Sequence, residues 1–139
     1  MSIPLETLLT DFSRMPGTTE QSLETVEKTL NIKLPNDYRR FVMQSNGGEG
    51  FIGKHYLILW KVEELAQFNC DYQVEDYAPG LLIFGSTGGG DGFAFDTKAN
   101  PYRVTQVPFI GMSREDALLV ANSFTRLLER MVETDGSLF

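Results

Sequence analysis

The chain has one cysteine, one histidine and one tryptophan in 139 residues. A lone Cys70 excludes an internal disulfide. A lone His55 leaves no CxxC or HxxxH pair from which a structural zinc site is ordinarily built. Basic residues are also scarce: 12 Lys and Arg face 19 Asp and Glu, a formal charge of −7. Such a mean field repels phosphate backbones and anionic headgroups, so neither nucleic acid nor a membrane surface is the expected partner. No apolar run approaches the roughly 20 residues of a membrane helix. The opening Met1-Ser2-Ile3-Pro4-Leu5-Glu6 lacks the basic and apolar regions of a secretory signal. A cytoplasmic protein is expected.

What the chain does have is material for one packed core. Hydrophobic residues make up 42% of it, with ten Phe and five Tyr against 22% charged residues, the balance of a globular domain and not of a disordered tail. No repeat, low-complexity tract or linker divides it, so residues 1–139 read as a single domain.

Leu5, Leu8, Leu9 and Phe12 follow helical spacing, with Ser2 and Pro4 suited to a helix start. Thr18 with Gln21 has the form of a capping box before Leu23, Val26 and Leu30. Leu34-Pro35-Asn36-Asp37 opens a third helix carrying Tyr38, Phe41 and Val42, stopped by Gly47 and Gly48. The period then shortens to that of a strand over Tyr56–Trp60. A short helix with Val62, Leu65 and Phe68 follows, then an acidic polar connection holding Asp71, Glu75 and Asp76. Leu81–Phe84, Phe93–Phe95 and Tyr102–Val107 are three further strands with short connections, hence antiparallel. Asn122 or Ser123 caps a last helix with Phe124, Leu127, Leu128 and Met131 on one face. Helices, then a sheet, then a helix give an α+β fold: N-terminal helices, a central antiparallel sheet and a C-terminal helix packed on it.

Most motifs that suggest chemistry lack its remaining parts. Gly85–Gly92 resembles a phosphate-cradling loop, but no Lys and Ser/Thr end it, no helix follows, and Asp91 brings negative charge. A wide turn in which Gly supplies positive φ accounts for it. Cys70 and His55 read as a small buried thiol and an exposed loop imidazole rather than a nucleophile–base pair. Asp91 and Asp96 are too few oxygen ligands for a calcium loop. No catalytic, metal or cofactor residue is assigned.

Three blocks of sequence, in order, resemble the SUKH superfamily, which includes the SMI/KNR cell-wall-regulator proteins of yeast and many bacterial proteins. They are Ile32-Lys33-Leu34-Pro35-Asn36-Asp37-Tyr38 with Phe41 and Asn46-Gly47-Gly48; Gly88-Gly89-Gly90-Asp91-Gly92-Phe93-Ala94-Phe95-Asp96; and Ala121-Asn122-Ser123-Phe124 with Leu127-Leu128. The resemblance implies a non-catalytic protein-binding module. Many bacterial members are immunity proteins that neutralise a polymorphic toxin, often a nuclease. An acidic inhibitor suits a basic toxin domain. Charge and expected exposure then single out Glu49, Asp71, Glu75, Asp76 and Asp91 as partner-contacting residues. An SMI/KNR-type scaffold or regulator is the first alternative, and a small-ligand or nucleotide-binding enzyme using the Gly85–Gly92 loop the second.

Overall fold

In a computed structural model describing residues 5–138, seven strands lie in the sheet in chain order, each antiparallel to the next: β1 (Asp11–Arg14), β2 (Gly48–Ile52), β3 (His55–Leu59), β4 (Leu81–Ser86), β5 (Asp91–Asp96), β6 (Arg103–Pro108) and β7 (Leu118–Ala121). Six helices accompany them: α1 (Leu5–Leu8), α2 (Glu20–Leu30), α3 (Asn36–Val42), α4 (Leu65–Asp71) after a 3-10 turn at Val62–Glu64, α5 (Val74–Tyr77) and α6 (Phe124–Glu133). The α+β class is as the sequence implies.

The strand period puts alternate residues on opposite faces, and both faces are apolar in the middle of the sheet. On one face Leu57, Leu59, Leu82, Phe84, Phe93, Phe95 and Val104 meet Leu23, Tyr38, Phe41, Phe124, Leu127 and Met131 of α2, α3 and α6. On the other, Leu81, Ile83, Ala94 and Val107 meet Val74, Ala78 and Met112. This is why β4 is buried along its whole length. Four rings form the centre of the main core: Tyr38 lies 5.1 Å from both Phe95 and Phe124, and Phe84 stacks on Phe95 at 4.4 Å.

Several expectations are corrected. The first helix stops at Leu8, and Phe12 belongs to β1; Ser2 and Pro4 lie outside the described residues. Leu8, Leu9 and Phe12 are all buried, so burial spacing alone did not separate a helix from a helix followed by a strand. What decides it is distant: Phe12 pairs with Gly50 of β2, where a Cβ would fall 2.4 Å from the Asp11 carbonyl and 2.7 Å from the Phe12 Cα. The cap of α2 is Thr19, accepting from the Ser22 N–H at 3.1 Å, and not Thr18, whose hydroxyl donates to Glu63. Helix α3 ends at Val42; Gly47 and Gly48 do adopt positive φ, 90° and 118°, but just before β2 and at its first residue. The expected polar connection at 71–76 is the end of α4 followed by the short helix α5. Strands β2 and β7 were not read from sequence.

Cys70 is exposed rather than buried. His55 is not in a loop: it opens β3, half-buried, with Nε2 2.6 Å from the Thr134 carbonyl oxygen. In the Gly85–Gly92 segment only Gly88 has positive φ. Gly85 is required by close approach instead, since a Cβ there would lie 2.3 Å from the Ile58 carbonyl oxygen.

Asn69 joins α4 to the sheet where β3 has already ended. Its Oδ1 accepts from the Ile83 N–H, and its Nδ2 donates to the Ile83 and Leu65 carbonyls, all at 2.8 Å. One carboxamide thus stands in for the missing neighbouring strand. Asn69→Ala leaves both Ile83 backbone groups without these partners and is expected to cost about 1–3 kcal/mol, read as a lower urea midpoint with an unchanged slope.

Candidate functional site

The motif residues turn out to hold elements together. Asp37 accepts from its neighbour Tyr38 N–H at 2.8 Å and, with its other oxygen, from the Thr125 N–H of α6 at 2.8 Å. Ser123 caps the same helix end through the Arg126 N–H. A carboxylate at the positive end of a helix is favourable on both counts, so the first sequence block clasps the third. Asn46 accepts from the Val62 N–H at 2.9 Å and donates to Glu63 at 2.7 Å. Burial pushes the Glu63 carboxyl up, but donation from Asn46, its own backbone and Thr18, with the Lys61 charge, holds it below the usual range. Burial, with the Glu63 charge, raises the Tyr38 hydroxyl well above its ordinary value, so this ring is a neutral core group.

A different kind of surface lies on the sheet face opposite α2, α3 and α6. Trp60, just past β3, Tyr72 at the end of α4 and Phe109 after β6 lie nearly parallel. Their interplanar angles are 2°, 21° and 20°, and Tyr72 is 4.5 Å from Phe109. Phe68, four residues before Tyr72 and so on the same side of α4, meets Trp60 edge-on at 4.9 Å. The cluster is not sealed. Tyr72 is 42% exposed, Tyr77 56% and Ile110 93%. Large exposed apolar groups mark an interaction surface when they adjoin one another, and Ile110 directly follows Phe109 in the chain.

The expected site residues divide around this patch. Asp71, Glu75 and Asp76 flank Tyr72 in sequence, all three exposed. Asp71 accepts from Gln67 at 2.7 Å, and among the described residues none of the three is in an ion pair. Glu49 is exposed on β2, opposite Ile58 of β3, and accepts from the Tyr56 hydroxyl at 2.5 Å. It is two strands away from β4, toward an outer part of the same sheet face, beside Phe51 and Tyr56. Asp91 is half-buried and accepts from Gln106 at 2.8 Å. Strand alternation sends it to the face of Phe93, away from Phe109, which lies against the neighbouring Gly92. Three of the five carboxylates therefore lie, exposed, within four positions of Tyr72 in the chain. Sequence reading missed Trp60, Tyr72, Phe109 and Ile110; the one available signal was the Phe68/Tyr72 spacing beside Asp71.

Phe109 is held by its loop. Its N–H donates to the Gly90 carbonyl at 2.9 Å. Farther along, Arg114 donates to the Pro79 carbonyl at 3.0 Å and pairs with Asp96 at 2.8 Å. Burial raises the Asp96 carboxyl, but donation from Arg114 and the Lys98 N–H, and the charges of both side chains, outweigh it and leave it below the usual carboxylate range. A lowered folded-state value stabilises above the unfolded carboxylate range, about pH 3.9, and this contribution is lost as pH falls through the folded-state value. The melting-temperature gap between wild type and Arg114→Met is therefore expected to be widest near neutrality and to close below about pH 4, in thermal unfolding followed from pH 7 to pH 3.

Among the described residues no group of His, Cys, Asp and Glu is placed to hold a metal ion, and no helix is long and apolar enough to cross a membrane. The chain is similar to the uncharacterized protein YnaB of Bacillus subtilis strain 168, with 26% identity over 119 residues, covering 84% of this chain and 78% of that protein. The SMI1 / KNR4 family (SUKH-1) model matches residues 17–130, a span that contains all three sequence blocks and both the Asp37 clasp and the Trp60–Tyr72–Phe109 stack. By that match the chain belongs to the SMI1 / KNR4 family (SUKH-1).

Proposed function

We propose that this protein is a cytoplasmic, non-catalytic immunity protein that binds a cognate toxin and neutralises it by covering its working surface. The observation that carries the reading is the partly exposed aromatic stack next in the chain to the exposed carboxylates of Asp71, Glu75 and Asp76. Protein interfaces commonly bind through a few aromatic anchors inside a polar rim. The rim here is acidic on a chain of net charge −7, which fits a basic toxin domain such as a nuclease and disfavours nucleic acid as the ligand. Glu49 extends the acidic rim outward, whereas Asp91, bonded to Gln106 on the opposite face, lies outside it. The Gly85–Gly92 loop runs from strand to strand, and its Asp91 is engaged by Gln106. That favours a binding module over a nucleotide-using enzyme.

Affinity purification of the tagged protein from its native cells at low and moderate salt, with copurifying proteins identified by mass spectrometry, tests the reading. A single stoichiometric basic partner is expected. Recovery of no partner at either salt would contradict it.

A further inference from the structure

We infer that the Tyr72 patch is a receptor for arginine side chains of the partner and discriminates against lysine. The inference rests on the reading that this face meets a protein. Three ring planes lie nearly parallel, and the most exposed of the three rings, Tyr72, is 42% exposed. The carboxylates next to that ring in the chain, Asp71 before it and Glu75 and Asp76 after it, have no cation of their own among the described residues. A guanidinium is planar, so it can lie along the ring stack as a further parallel plane while its N–H fork reaches a carboxylate. An ammonium is a compact, strongly hydrated point charge that can satisfy the carboxylates but gains little from stacking. Charge alone attracts both; the parallel rings select between them. The guanidinium of Arg114 is committed elsewhere, to Asp96 and the Pro79 carbonyl.

The single tryptophan sits in the stack, which provides an internal reporter. Titration of the intact protein with a hexa-arginine peptide should give a saturable change in Trp60 emission. Hexa-lysine of equal charge should bind about 3- to 10-fold more weakly. Tyr72→Ala should erase most of that difference while retaining wild-type circular dichroism. Asp71→Asn/Glu75→Gln/Asp76→Asn, at exposed positions, should weaken both peptides alike. Equal affinity of the wild type for the two peptides overturns the inference, and that comparison needs no variant. Arginine selectivity without any copurifying partner leaves this inference standing and sinks the immunity reading. A stoichiometric partner held as tightly by a folded Tyr72→Ala protein as by wild type does the reverse.

Discussion

Replacing Asp71, Glu75 and Asp76 together by lysine is expected to slow association with the protein partner about 10- to 100-fold at low ionic strength. The dissociation rate should change far less. Each reversal adds two charges, so the three bring the formal charge from −7 to −1. All three side chains are exposed and outside any ion pair among the described residues, so no internal pair is lost and the fold is expected to survive. Exposed charges act at a distance, and their field is screened within about 10 Å at 0.1 M salt. The deficit should therefore shrink steeply between 20 and 500 mM salt in stopped-flow association, both concentrations chosen to lie on either side of that about 0.1 M reference. An unchanged on-rate at low salt would remove this patch from the interface. Single lysine replacement of Asp91 is expected to do less, because its carboxylate is half-buried, bonded to Gln106 and directed toward the opposite face.

The largest loss of stability is expected from Phe124→Ala, at about 3–5 kcal/mol. A domain's whole stability is typically about 5–15 kcal/mol, so the variant should unfold at much lower urea. Phe124 is buried to 1% and touches the rings of Tyr38, Phe41 and Phe84 at 5.1, 5.2 and 5.7 Å. It is also the first residue of α6, immediately after the Ser123 cap and before Thr125, whose N–H Asp37 accepts. Its ring therefore fixes the end of the helix that covers the sheet, and a smaller side chain leaves a cavity with rigid aromatic walls. Denaturation should show a lower midpoint with the same slope. A shift below 1 kcal/mol would mean that α6 is not anchored through this ring.

These two sites differed in how legible they were. Phe124, Tyr38, Phe41 and Phe95 could be read as core because helix and strand periods place them on buried faces, and caps such as Ser123 act over three residues. The helices α2, α3 and α6 and the strands β3 to β6 followed from such local signals. What was not legible depended on contacts far along the chain. Strand β2 reads as Gly-Glu-Gly-Phe-Ile, a poor strand by composition, yet those glycines are what let β1 and β2 approach. Phe12 carries the same apolar signal whether it ends a helix or opens a strand. The stack was hidden for a related reason: Trp60, Tyr72 and Phe109 come from three segments separated by 12 and 37 positions, and only the packing of α4 on β4 and the return of the loop after β6 bring them together. Charge marked Asp71, Glu75 and Asp76 correctly as exposed; Asp91 looked the same in sequence, but its bond to Gln106 depends on strand register.

Hydrogen–deuterium exchange of the free protein and of its complex with the copurified partner tests the central claim most directly. Protection concentrated in residues 60–77 and 108–112, with little change in α2 and α3, is the result the account predicts. Protection confined to the α2, α3 and α6 face, with the Tyr72 segment exchanging as in the free protein, would contradict it.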